Sequence, residues 1–147
     1  MTEVSFHFNV PDRAAYACRL LRKAVRHGAR VVVTAPASLL ARFDRQLWVF
    51  EPLDFVPHVL VGPGHALAPR LQGTPIWLTE HAGEAPHHEV LLNLGDNLAE
   101  GFETFARVIE LVSADPEDRQ AARTRWKHYA DRGYTITRHD VAQEADS

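Results

Sequence analysis

Cysteine is almost absent: Cys18 stands alone in 147 residues. That excludes an internal disulfide and points to a reducing compartment. No apolar run approaches the roughly 20 residues that cross a bilayer. The first residues also lack the basic start and apolar stretch of a secretory signal, so a cytoplasmic location is expected. Basic charge is not in excess either. Sixteen Lys and Arg against nineteen Asp and Glu leave a net −3, which argues against wrapping directly around a nucleic-acid backbone. The turn after the first strand contains no glycine, so neither a dinucleotide fingerprint nor a phosphate loop is present. Gly62-Pro63-Gly64 lacks a following Lys-Ser/Thr and reads as a plain turn. No Gly-x-Ser-x-Gly elbow occurs. No cofactor is expected.

What remains is an ordinary globular composition, 46% hydrophobic and 24% charged. It is enough chain to bury a real core as one domain over residues 1–141, followed by a flexible acidic tail, 142–147. Val4, Phe6 and Phe8 alternate with polar residues and predict a strand over 3–8. Ala14, Ala17, Cys18, Leu21 and Val25 recur at helical spacing up to His27-Gly28, with Arg19, Arg22, Lys23 and Arg26 pointing outward. Arg30 to Thr34 reads as a strand covered on both faces. A second helix starts near Pro36 with Leu40, Phe43 and Leu47 aligned. Trp48 to Gly73 carries four prolines and reads mostly as loop. Strands follow at 75–79 and 89–94, with a polar turn from His81 to His88 between them. A short helix is expected over 96–105, and a strand over 107–112.

The last helix carries the clearest local signals. Ser113 or Asp115 can cap it, Pro116 suits its first turn, Glu117 and Asp118 suit its positive end, and Gly133 suits its stop. A short strand, 134–137, follows. Strand–helix alternation at this spacing predicts an α/β fold: a three-layer Rossmann-like domain with a mostly parallel central sheet and no nucleotide fingerprint.

Candidate catalytic groups are few. Cys18 lies on the apolar face of its helix, where a thiol behaves as a small hydrophobe. The nine histidines include His81, His87 and His88 in a polar turn, without the tight repeated spacing of a zinc site. They read as surface residues, and no metal is expected. His7 reads as packed or hydrogen-bonded. Glu110/Asp115 and Asp96/Glu100 read as caps and solvated faces.

Two segments point instead to binding. Arg119, Arg123 and Trp126 fall at i, i+4 and i+7, one stripe on a helix. Two guanidinium groups beside a large aromatic suit a ligand that is both anionic and apolar. Trp48, Phe50, Leu53 and Phe55 crowd a proline-stiffened stretch that cannot easily bury them all, which suggests a docking surface.

Together, Trp48, Phe55-Val56-Pro57-His58 and the run Ala122-Arg123-Thr124-Arg125-Trp126-Lys127-His128-Tyr129 ending in Gly133-Tyr134 resemble the chi subunit family of bacterial DNA polymerase III. The resemblance spans essentially the whole chain. It implies a non-catalytic clamp-loader accessory subunit that pairs with psi. It also implies a tether to the acidic C-terminal tail of single-stranded-DNA-binding protein during replication. That tail ends in aspartates and a phenylalanine with a free carboxylate. Carried over by position, the tail pocket comprises Val112, Arg119, Arg123, Trp126, Lys127, Tyr129 and Gly133. The psi interface comprises Trp48, Phe55, Val56 and Pro57. Arg119 and Trp126 stand where the family often has lysine and tyrosine, and both replacements keep the chemical role. A small hydrolase or nucleotide-dependent enzyme on the same fold, and direct single-strand binding through Trp126 and the arginines, are the competing readings.

Overall fold

The computed structural model describes residues 2–50, 56–61 and 73–142. Seven strands form one sheet: β1 (Glu3–Val10), β2 (Val31–Thr34), β3 (His58–Leu60), β4 (Ile76–Leu78), β5 (Val90–Asn93), β6 (Arg107–Ser113) and β7 (Thr135–Asp140). Their spatial order is β3-β4-β2-β5-β6-β1-β7, and every pairing is parallel. The mostly parallel sheet expected from the alternation is therefore wholly parallel among the described residues. The reason is that each strand returns to the same end through a crossover.

Helices α1 (Arg13–Arg26) and α2 (Ala37–Val49) lie on one face, and α3 (Pro116–Asp131) lies on the other. The strand alternation sorts residues between the two layers. Val31 and Val33 join the core under α1 and α2, while Val32 joins the core under α3. Likewise Val4 and Phe6 of β1 pack toward α3.

The helix ends follow their sequence signals. The Asp12 side chain accepts from the Ala15 N–H at 3.1 Å and caps α1, and Gly28 takes φ +74° beyond it. Asp115 accepts from the Glu117 N–H at 2.8 Å, with Pro116 in the first turn and Gly133 at φ +78° after the last.

Three expectations are corrected. The helix expected over 96–105 is a run of turns with a single 3₁₀ turn, Phe102–Thr104. Gly101 takes φ +79° there, and Phe102 and Phe105 are both buried in the α3-side core. Two aromatic anchors three residues apart hold this segment down without a helix. Residues 58–60, expected as loop, form edge strand β3 against β4. Trp48 and Val49, expected in that loop, finish α2. The Gly62–Gly64 turn, Leu53, Phe55 and residues 143–147 of the expected tail lie outside the described residues.

Candidate functional site

Two surfaces stand at opposite ends of the sheet. The first is built on α3 and the adjoining edge strands. Ala122, Arg125, Trp126 and Tyr129 form the inward stripe of α3, and Ala122, Arg125 and Tyr129 are buried. Trp126 sits at its margin, partly exposed. Its ring centroid lies 5.0 Å from that of Phe6, and the Arg138 guanidinium lies 5.5 Å over its face. Arg138 also lies 5.8 Å over Phe8. Arg119 is exposed two turns earlier on the helix, and its Nη2 donates to Asn9 Oδ1 at 3.1 Å. Arg123 is exposed between them and has no ion pair or hydrogen-bond partner among the described residues. The result is a partly exposed indole with the Arg138 guanidinium over its face and with Arg119 and Arg123 exposed on the same helix. Arg138 was not anticipated from sequence. Its position two residues past Ile136 on a strand is an alternation signal, but only the β1–β7 register, which pairs it with Phe6, brings it to the indole.

Other expected members of this pocket are placed differently. Val112 is only 6% exposed and forms part of the core beneath the indole. Tyr129 is fully buried, a correction to its expected place in the pocket wall. Its hydroxyl donates to Glu110 Oε2 at 2.7 Å, which holds it inward. Burial and the neighbouring Glu110 carboxylate push its pKa up. Lys127 is exposed on an adjacent groove with His128, Arg132 and the 96–98 turn. Gly133 lies past the helix end, about 21 Å from Arg119 at 1.5 Å per residue.

Beneath this surface lies a network that the sequence reading missed. Glu110, expected on a solvated face, is fully buried, and Arg125 is 1% exposed. Arg125 Nε donates to Glu110 Oε1 at 3.0 Å, and Nη1 donates to the Asp96 carbonyl at 2.7 Å. Asn93 Nδ2 donates to Glu110 Oε2 at 3.3 Å. Burial pushes the Glu110 carboxyl up, while Arg125, Tyr129 and Asn93 pull it back. The signal was present: a carboxylate between Ile109 and Leu111 in a strand, and an arginine on the inward stripe of a helix, have opposite charge. Asp115, by contrast, does cap its helix.

The second surface lies at the β3 edge. Trp48 is 54% exposed, Val49 72% and Leu60 38%. The Trp48 ring packs against His58 at 4.6 Å, whose Nδ1 contacts the Val56 carbonyl at 2.7 Å and whose Nε2 lies 3.1 Å from Asp44. Val56 is 4% exposed and belongs to the core, so it supports this face from below; Pro57 is half-buried. Val49 and Leu60 add apolar area that the sequence reading had not assigned. Five strand spacings, about 24 Å, separate β3 from β1.

Of the candidate reactive groups, burial raises the Cys18 thiol to about 11, which leaves it unreactive near neutrality. His7 is buried and hydrogen-bonded to the Tyr16 hydroxyl. His87, expected on the surface, is 9% exposed and faces Trp77 edge-on. Among the described residues no cluster of three potential metal ligands occurs, and no helix is long and apolar enough to cross a membrane.

A wholly parallel three-layer sheet with helices on both faces defines a Rossmann-like α/β protein, here one whose first turn carries no phosphate-binding glycines. Comparison with known sequences makes the assignment specific. Residues 1–137 match the family model for the DNA polymerase III chi subunit. The chain is 35% identical over 147 residues to the DNA polymerase III subunit chi of Pseudomonas aeruginosa, covering 95% of this chain and 96% of that protein. It is 27% identical to the chi subunit of Haemophilus influenzae, covering 85% of each chain. With that of Escherichia coli it shares 28% identity over 81% of this chain and 79% of the other. This chain belongs to the DNA polymerase III chi subunit family.

Proposed function

We propose that this protein is a non-catalytic, single-domain accessory subunit of the replicative polymerase and clamp-loader assembly. It pairs with a psi subunit through the β3 edge and tethers the replicase to the acidic C-terminal tail of single-stranded-DNA-binding protein through α3. The observation that carries the tether is the partly exposed Trp126 indole, with Arg138 over its face and Arg119 and Arg123 exposed on the same helix. A tail phenyl ring packs on the indole and Phe8. Arg123, uncommitted among the described residues, receives the terminal carboxylate, while Arg119 and Arg138 meet the upstream aspartates. Burying the ring contributes about 1.5–3 kcal/mol, and each exposed ion pair adds about 0.2–1 kcal/mol. Contributions of that size suit a contact that must release.

Psi pairing is supported by a different chemistry. Trp48, Val49 and Leu60 present apolar area at one sheet edge, and an aromatic anchor in such a patch is the residue type that dominates interface energies. The two surfaces lie at opposite ends of the sheet, so one subunit can hold both partners at once.

The tether is tested by fluorescence titration of a peptide ending in Asp-Asp-Phe with a free carboxylate. Arg123→Glu is expected to weaken binding at least tenfold, about 1.4 kcal/mol, with thermal stability nearly unchanged. Wild-type binding is expected to weaken with salt. Full-strength, salt-indifferent binding by Arg123→Glu removes the tether.

A further inference from the structure

The net charge of −3 conceals a strong segregation. From Arg13 to Phe43 the chain contains seven Lys and Arg and no Asp or Glu; the remainder carries nine cations against nineteen acids. Much of this charge lies on α1, in the layer opposite α3. Arg19, Arg22, Lys23 and Arg26 fall at i, i+3, i+4 and i+7, one outward face about 10 Å long. Arg19, Lys23, Arg26 and the following His27 are exposed.

Beside this face, between the last turns of α1 and the sheet, lies an open groove of about 350 Å³, at the lower end of ligand-pocket volumes. Its floor is apolar, with Leu20, Val90 and Ile109. Its polar lining is His7, Tyr16, Lys23, His27, Arg107 and His139, with no carboxylate among the described lining residues. Lys23 and His27 belong to both the groove and the basic helix face. Inside it, the His7 and His139 rings lie 4.5 Å apart at 34°. His7 is 7% exposed, and its Nε2 is buried without a hydrogen-bond partner. Among the described residues, Asp12 caps the first turn of α1, Glu89 accepts from the Arg30 N–H, and Glu3 stands in register with Arg107.

We propose that the basic face of α1 and its groove form a binding site for single-stranded nucleic acid. The phosphodiester backbone runs along Arg19, Lys23 and Arg26, and a base enters the groove against the imidazole and phenol rings. Cations in a row, an apolar-floored recess and aromatic rings are the combination that single strands use. A run of acidic residues alone matches the cations but brings no flat group for the recess. The site lies on the layer opposite Trp126, so it is independent of the proposed tail contact and both can be occupied together.

The test is fluorescence anisotropy of the full chain with an oligothymidylate of about 15 nucleotides, the upper end of single-strand footprints. Binding is expected at low salt. With three or four phosphates neutralised, log K should fall against log salt with a slope of about −2 to −3. Arg19→Glu combined with Lys23→Glu, on a fold verified by circular dichroism, should weaken binding at least tenfold and shallow the slope by about 1.4. His139→Ala should weaken it without changing the slope. Arg123→Glu and saturating tail peptide should leave it unchanged. No binding at about 100 μM protein, the weak end of non-specific affinities, overturns the proposal. So does undiminished binding by the α1 variant, or loss of binding by Arg123→Glu. Equal competition by oligoglutamate of matched charge also overturns it, and would assign the face to an acidic protein partner.

Discussion

Replacing Arg125 by methionine removes one half of a buried pair while keeping much of the side-chain volume. In the native protein Arg125 supplies Glu110 with a 3.0 Å hydrogen bond and a positive charge, and also satisfies the Asp96 carbonyl at 2.7 Å. Without it the fully buried Glu110 keeps only the Tyr129 hydroxyl and the Asn93 amide. Breaking such a pair costs about 3–5 kcal/mol, because the remaining charge is desolvated and uncompensated. At about 2–4 °C per kcal/mol for a chain of this size, the melting temperature should fall by about 6–20 °C. Urea denaturation supplies the free energy and thermal melting the temperature. The sign with pH is an internal check. Burial already holds the Glu110 carboxyl above its ordinary value, and losing the guanidinium raises it further. The native variant therefore binds a proton that the unfolded chain does not, and its deficit should shrink as pH falls toward the unfolded carboxylate range. Adding Glu110→Gln to Arg125→Met should recover part of the loss at neutral pH. A deficit below about 1 kcal/mol, or a double variant as unstable as the two single changes summed, would refute the account of this network.

The remaining expectations concern other parts of the molecule. Burial, with His139 and Arg107 nearby, lowers the His7 pKa to about 4. Between pH 6.5 and 4 the unfolded chain binds the extra proton, so stability present at pH 7 is lost as pH falls, at up to about 1.4 kcal/mol per pH unit. His7→Gln should flatten that slope in urea titrations at pH 7 and 5, and an unchanged slope would show that the ring is not the source. Gly133→Ala places a Cβ at φ +78° and should cost about 1 kcal/mol in urea denaturation; an unchanged midpoint would mean that the helix end relaxes. Trp48→Ala should weaken pairing with psi by at least 2 kcal/mol in calorimetry, more than any nearby charge change. An equal effect from Arg45→Ala would deny Trp48 its anchoring role.

Local chemistry made a large part of this fold legible. Asp115, Pro116, Gly28 and Gly133 mark ends of α1 and α3, because caps and left-handed stops act within one turn of chain. Runs such as Val31-Val32-Val33 announce strands covered on both faces, and strand–helix alternation announces a parallel sheet. Helical spacing likewise places Arg119, Arg123 and Trp126 along one side of α3, with both arginines exposed and Trp126 at the margin of the buried face.

Long-range pairing decided the rest. Strand β3 is three residues long, too short to show a period, and exists because β4 offers it partners. The 96–105 segment has helical composition, yet burial of Phe102 and Phe105 outweighs the modest preference of a short helix. Arg138 reaches the Trp126 indole only through the register between β1 and β7. Glu110 and Arg125 are fifteen residues apart, and each alone looks like a surface charge. Burial of a charge is a property of what packs around it, and only the folded chain brings the two halves of that pair together.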